Sequence, residues 1–354
     1  MRLRGTYFLA AAFLLVLALS GCDKSGGEGV ANPQPSVYYW RTVFALDSAE
    51  RQFLSDHAIK KMYVRYFDVV MRGGRPMPNA TLRFADTLPA GVEVIPTIFV
   101  MENCLRHGMD SVAPLLVDRV LQMCETCDVT GVREIQIDCD WTRTSQDAYF
   151  SFLRLVREHL AQRGMRLSAT IRLHQLRMAP PPVDEGVLMV YNTGDVRRRN
   201  GRNPILDPRD VQPYLNDLAS YQLPLCAAYP AFRWQLLYGH DGKFKAILYD
   251  ENLADTTMYR RVADDRYNVI FGRDIPEMNS DASSSTWISV GDTVVVMLPS
   301  AHAVGLVHDA LGAKRPSINR QVVLYSLDSK NLKYYNTKEY EKVFNHTTTQ
   351  AASD

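Results

Sequence analysis

From Val37 onward the sequence alternates short β-rich runs with amphipathic ones, and this rhythm restricts the fold more than any other feature. The strand candidates are "SVYYWRTVF", "KKMYVRYFDVV", "VEVIPTIFVM", "REIQIDCDW", "RLSATIRL", "GVLMVYN", "LPLCAAYPAF" and "RQVVLYSLDS". Helical runs fall between most of them. "DSAERQFLSDHA" opens with Asp47 at the cap position and Glu50 three residues on, the pattern of a capping box. A second helix is expected over 111–129. In "SQDAYFSFLRLVREHLAQRG", Tyr149, Phe152, Leu153, Val156 and Leu160 recur at helical spacing and Gly164 closes the run. "DPRDVQPYLNDLASY" and, after the last strand, "NTKEYEKVFN" complete the set. Eight strands separated mostly by helices pair in parallel, and a TIM-type (β/α)8 barrel is the closed α/β solution of that count. The unbroken apolar run "VEVIPTIFV" fits a sheet buried on both faces. An open doubly wound sheet is the competing fold, but no Gly-rich phosphate loop follows the first strand.

One region departs from the rhythm. Residues 239–290 are polar, rich in turn formers, and alternate like hairpins. They are expected to form a β-rich insertion in the loop after strand seven, on the functional rim of a barrel. The strand–helix pair "DTVVVMLPSAHAVGLVHDAL" that follows could belong to either part. The barrel domain is expected to span 37–346, with a disordered tail over 347–354.

The N-terminus is expected to be a targeting segment. Arg2 and Arg4 precede the apolar run "YFLAAAFLLVLAL", which has the form of a secretory signal and is short for a membrane span. The run ends in "LSGC", which resembles the lipobox of bacterial lipoproteins. That resemblance implies cleavage before Cys22 and acylation of Cys22, with palmitate among the chains expected, and several chains anchor a protein stably where one does not. Residues 22–36, "CDKSGGEGVANPQPS", then read as a flexible tether from the lipid to the domain. The expected location is the cell envelope, on the periplasmic or the surface face of a bacterial membrane.

Charge narrows the partners. Removing Arg2 and Arg4 with the signal leaves 38 of the 40 basic residues against 39 acidic ones. No basic field is available for nucleic acid, and no cofactor motif is present. Cys124 and Cys127 form a CxxC inside a helical pattern without a second ligand pair, which fits helix packing or one disulfide better than zinc or redox chemistry.

In a barrel of this type the binding groups gather at the C-terminal strand ends. Those ends carry Trp40 on the first strand, Arg65 and Asp68 on the second, and Asp138, Asp140 and Trp141 on the fourth. Arg172 and His174 follow on the fifth, Tyr191 and Asn192 on the sixth, Tyr229 on the seventh, and Tyr325 and Asp328 on the last. Aromatic rings beside carboxylates and amides suit a sugar, whose apolar faces stack while its hydroxyls need planar hydrogen-bonding partners. Period-two alternation puts Asp138 and Asp140 on one side of their strand, roughly 6.6 Å apart. Carboxylates that close tend to share a proton, and a protonated acid beside a charged one is what glycosidic cleavage requires.

"IDCDWT" on strand four and "LMVYN" on strand six resemble the motifs of glycoside hydrolase family 18 barrels, the chitinases and endo-β-N-acetylglucosaminidases. Those barrels carry D-x-x-D-x-D-x-E on strand four and Met-x-Tyr-Asp on strand six. The resemblance implies that Asp138 and Asp140 take the last two aspartate places, the second orienting a substrate acetamido group. Tyr191 would support that group, with Asn192 in the place of the aspartate. It also marks two departures, since Ile135 stands where the first aspartate is expected and Thr142 where the general-acid glutamate is expected. The strand order also resembles uncharacterised bacterial lipoproteins of hydrolase-like barrel fold.

A threonine hydroxyl cannot protonate a leaving glycosidic oxygen at a useful rate. Two expectations therefore stand, hydrolysis as the first and binding without cleavage as its alternative. One is a glycoside hydrolase-like lipoprotein acting on glycans, with Asp138 and Asp140 as its catalytic pair. The other is a glycan-binding lipoprotein on the same scaffold without cleavage. A metal held by Asp138 and Asp140 with His174 is a weaker alternative, because no further strong ligand is visible beside them. So is a protein-interaction module using the aromatic patches "YYWR" and "AYPAFRW".

Overall fold

A computed structural model describes residues 34–198, 201–248, 250–276, 285–333 and 342–343. The signal segment, Cys22, residues 22–33 of the tether, the helix expected at "NTKEYEKVFN" apart from 342–343, and the tail lie outside the described residues.

Eight parallel strands close into a barrel: β1 (Gln34–Tyr39), β2 (Lys61–Arg72), β3 (Glu93–Val100), β4 (Glu134–Asp138), β5 (Arg166–Arg172), β6 (Glu185–Met189), β7 (Leu225–Pro230) and β8 (Gln321–Tyr325). Closure is made at β1, which pairs with β8 from Gln34↔Gln321 to Val37↔Leu324 and with β2 from Ser36↔Lys61 to Tyr39↔Val64. All eight strand candidates supply a barrel strand. The first stops at Tyr39, and Val43–Phe44 leaves the barrel to pair with Arg83–Phe84.

The outer shell packs where the apolar periodicity places it. Helix α1 (Ser48–Asp56) carries the Asp47/Glu50 capping box. Helix α2 (Met109–Thr126) packs beside α3 (Gln146–Ala161), which buries Tyr149, Phe152, Leu153, Val156 and Leu160. Helix α4 (Ala301–Lys314) leads back towards β8. Over 207–221 the expected single helix is broken into Pro208–Val211, the 3-10 turn Gln212–Tyr214 and Leu215–Ser220. Pro213 lacks the N–H that a continuous helix needs at that point.

Pleating sorts the strand residues into two environments. Val37, Met62, Val64, Ile98 and Ile137 join the apolar shell under the helices. Tyr38, Tyr63, Ile95, Val187, Met189, Ala228 and Val323 fill the barrel interior. Polar side chains complete that interior, and several of them hydrogen-bond one another. Tyr38 Oη donates to Gln136 Oε1 at 2.6 Å. Nearer the N-terminal end of the barrel, Glu134 accepts from Lys61 Nζ at 3.0 Å, Arg166 Nη2 at 2.8 Å and Ser168 Oγ at 2.6 Å.

After β7 the chain builds an antiparallel sheet, in the order Phe244–Leu248, Trp234–Tyr238, Thr293–Met297, Arg266–Val269, Tyr259–Ala263. Leu237, Leu248, Val269 and Val294 form part of its own apolar core. The strand Thr293–Met297, which the sequence left open, belongs here and pairs with Trp234–Tyr238, while α4 after it belongs to the barrel shell. The inserted sheet therefore runs from 234 to 297, wider than 239–290.

Candidate functional site

The C-terminal mouth of the barrel is built on an aromatic floor. Tyr38 lies beneath Trp40 and Tyr325, with ring centroids 5.8 and 5.6 Å away. Above it Tyr191 stacks on Tyr325 at 4.6 Å, Trp40 meets Tyr325 at 5.6 Å, and Phe232 stands edge-on to both Tyr191 and Tyr325 at 5.8 Å. Four chain segments far apart in sequence thus supply one apolar surface. Phe232 and Tyr38 escaped the choice of site residues. Phe232 lies in "AYPAFRW", which reads as a surface patch, and Tyr38 sits one residue deeper than the strand end.

Charged groups form the other wall. Asp138, at the end of β4, is buried and accepts from Thr170 Oγ1 at 2.6 Å and from Arg172 Nη2 at 3.2 Å. Asp140 is more open and accepts from Arg172 Nε. The two carboxylates expected to work as a pair are therefore bridged by one guanidinium from the next strand. Burial pushes the Asp138 carboxyl above its ordinary value, with Asp140 adding to the rise and Arg172 and Thr170 opposing it. Burial works against the charge on Arg172, but Asp138 and Asp140 outweigh it and hold the guanidinium more firmly protonated than usual.

A second carboxylate–guanidinium pair stands on β2. Arg65 Nε donates to Asp68 Oδ1 at 2.7 Å, and Arg65 lies over the Trp40 ring at 5.6 Å. Residues three apart on a regular strand face opposite sides. Here the register of β2 shifts between Arg65 and Phe67, so that Arg65 pairs with Thr97 and Asp68 with Phe99. The extra residue of this bulge brings both side chains inward.

Tyr191 is buried and its Oη donates to Met189 Sδ at 2.8 Å. Burial, then Tyr325, pushes its phenol well above the ordinary value, so it stays a neutral donor. Asn192 follows with its backbone in the left-handed region (φ 54°) and is exposed. His174 stands exposed on the turn Leu173–Arg177, and partial desolvation lowers its imidazole against the pull of Asp140.

Three expected rim residues lie elsewhere. Trp141 is fully buried, 5.8 Å from Tyr149 and 5.3 Å from Phe150 on α3. Tyr229 points out of the barrel, because Ala228 beside it points in, and its Oη donates to Asn319 Oδ1 at 2.8 Å. Asp328 caps the turn Ser329–Leu332, accepting from Lys330 N. Trp141 and Tyr229 are thus turned away from the mouth, and Asp328 is engaged as a cap.

Thr142 is exposed just beyond Asp140. Its Oγ1 lies 2.9 Å from Thr144 Oγ1 and 3.3 Å from Oε1 of Glu102, in the turn after β3. Hydrogen bonding by Ser145, with help from Arg106 and Thr142, holds the Glu102 carboxyl below its ordinary value against desolvation. Ile135, in the place of the first motif aspartate, is fully buried in the outer shell. Among the described residues no three His, Cys, Asp or Glu side chains converge as a metal site, and the guanidinium of Arg172 occupies the space between Asp138 and Asp140.

Neither a protein-family model nor a curated protein sequence matches the chain. Solved structures do. A chitinase from Chromobacterium violaceum superposes with a TM-score of 0.53 at 11% identity, covering 89% of this chain and 99% of that one. The spore cortex-lytic enzyme SleL of Bacillus megaterium superposes with a TM-score of 0.51 at 13% identity, covering 89% of this chain and 74% of that one. At such identities the likeness speaks for the fold alone, a TIM-type (β/α)8 barrel like those of the chitinase and the cortex-lytic enzyme.

Proposed function

We propose that this protein is a lipid-anchored envelope protein that binds a glycan in the barrel mouth and does not cleave it by the family 18 route. The sugar is supported by the aromatic surface of Trp40, Tyr191, Tyr325 and Phe232 beside two carboxylate–guanidinium pairs. Such a surface offers stacking faces and planar hydrogen-bonding groups together. Lipid anchoring and envelope location rest on the signal-like N-terminus and "LSGC" ending at Cys22.

One observation carries the choice between binding and cleavage. The residue in the general acid's place is a hydroxyl, Thr142, and the nearest motif carboxylate, Asp140, is engaged as the acceptor of Arg172. A threonine hydroxyl does not protonate a leaving oxygen at a useful rate, and the Asp140 carboxylate is turned to Arg172. The test is to titrate the soluble domain with a panel of oligosaccharides and assay the same mixtures for product. Binding without product, lost on Asp138→Asn/Asp140→Asn, is the expected result. Product that disappears in the double variant would replace this reading with hydrolysis.

Hydrolysis keeps one specific observation in its favour, the Glu102 carboxylate 3.3 Å from the Thr142 hydroxyl. An acid delivered from the neighbouring loop would then stand in for the missing glutamate. Its hydrogen bonds favour the ionised form, which weighs against that role.

A further inference from the structure

Next to the mouth, the loop that follows β6 runs along the inserted sheet. Tyr238 Oη donates to Val196 O at 2.9 Å, and Asn203 Nδ2 donates to Leu298 O at 2.8 Å, so the two parts are tied at both points. Beside these ties lies a cavity of about 430 Å³. Tyr238 and Met297 give it apolar lining, while Arg198, Arg202 and Arg266 bring three guanidinium groups against one carboxylate, Asp265.

Arg198 pairs with Asp195 and Arg202 with Asp210, and neither carboxylate lines this cavity. Asp195 and Asp210 line a smaller neighbouring one, of about 260 Å³, which shares Arg198 and Arg202 with it. Arg198 reaches Asp195 only at 3.6 Å, with its side chain 78% exposed. Arg266 has no side-chain partner among the described residues and is exposed. By its lining residues the larger cavity carries three arginines to one carboxylate, Asp265, and Asp195 and Asp210 line the smaller one. Guanidinium groups present planar forks matched to carboxylate and phosphate oxygens. A few hundred cubic ångströms is the size of a small-ligand site.

We propose that this cleft is a second binding site, which takes the carboxylate or phosphate of an acidic sugar whose uncharged part lies against Tyr238 and Met297. Naming a sugar rests on the glycan reading of the mouth, whereas naming an anion rests on the charges of the cleft.

The experiment is calorimetric titration of the full chain in detergent with three ligands of matched length: a uronic-acid oligosaccharide, a phosphorylated one and a neutral one. Arg266→Ala and Arg198→Ala are run beside the parent, with Trp40→Ala as the variant at the mouth. Arg266 lies on a strand held by backbone pairing with Thr293–Met297, so its truncation leaves that ladder in place. The expected result is at least one acidic ligand binding about tenfold more tightly than the neutral one at low salt, with the advantage lost in either arginine variant and at high salt. The acidic arm that shows it identifies carboxylate or phosphate. Equal affinity for all three ligands, or an advantage untouched by both arginine variants, overturns the cleft while leaving the mouth standing. Acidic binding that needs Arg266 but ignores Trp40→Ala, with no neutral ligand bound, supports the cleft and sinks the mouth reading. Absence of all binding overturns both.

Discussion

The hydroxyl of Thr142 and the carboxylate of Glu102 lie 3.3 Å apart, joining the loop after β4 to the turn after β3. The place where a proton donor would stand is thus shared by a group that cannot donate usefully and one held as an anion. Glu102→Gln is expected to leave glycan affinity within about twofold, because the binding surface lies elsewhere. A fall of roughly a hundredfold or more in turnover, at unchanged affinity, would instead mark Glu102 as the acid. Thr142→Glu is the complementary change. A glutamate there would sit beside Glu102, and adjacent carboxylates hold a proton that neither keeps alone. Slow release of product from a ligand that the parent only binds is the expected outcome, measured by chromatography of the reaction mixture.

Asp138 gives a pH-dependent stability with a definite sign. Burial raises its carboxyl above the ordinary 3.8, so between 3.8 and the raised value the folded chain holds a proton that the unfolded chain has released. Stability from this group is present at low pH and falls as pH rises through that window. In Asp138→Asn this loss is absent. Thermal melts across the acid range are expected to show the difference between parent and variant drifting in favour of the variant as pH rises. A difference independent of pH would show that Asp138 has no raised value.

Arg172 is the only cation contacting both Asp138 and Asp140 among the described ion pairs. Arg172→Ala is expected to destabilise the fold by about 3 kcal/mol, because Asp138 is then left as a buried acid without its cation. Adding Asp138→Asn should recover much of that loss. Urea unfolding of the single and double variants measures the coupling, and additive effects would mean that the pair does not act as one.

The aromatic residues divide into two groups that mutation can separate. Trp40→Ala or Tyr325→Ala is expected to weaken glycan binding about tenfold or more, in line with the roughly 1–3 kcal/mol of a lost large apolar contact. Tyr229→Phe removes a buried hydrogen bond to Asn319 and should cost about 1 kcal/mol of stability at unchanged affinity. Trp141→Phe should likewise affect melting and leave affinity alone. Calorimetry and thermal melts on the same four variants check the division.

The barrel strands were legible because each is a short apolar or β-branched run set off by polar turns, which local sequence records directly. The β2 bulge was not. Arg65 and Asp68 could be listed as neighbours, but only the register shift against β3 brings both inward. Trp141 and Tyr229 face the helical shell for other reasons: the pleat of β7 turns Tyr229 out, and Trp141 lies in the loop beyond the end of β4. The bridge of Arg172 across Asp138 and Asp140 joins strands whose relative register the motif does not contain. Glu102 was invisible as well, since nothing in "FVMENCLRHG" distinguishes it from an ordinary surface acid.

Gln34 opens β1 at the N-terminal end of the barrel, in register with Gln321 and just ahead of the Ser36↔Lys61 pairing, while Trp40 and Tyr325 mark the other end. The chain therefore enters the barrel at the end opposite the mouth. Held by that end, the molecule would stand like a cup on its base. Its opening would then face away from that attachment, open to polymers in the surrounding medium.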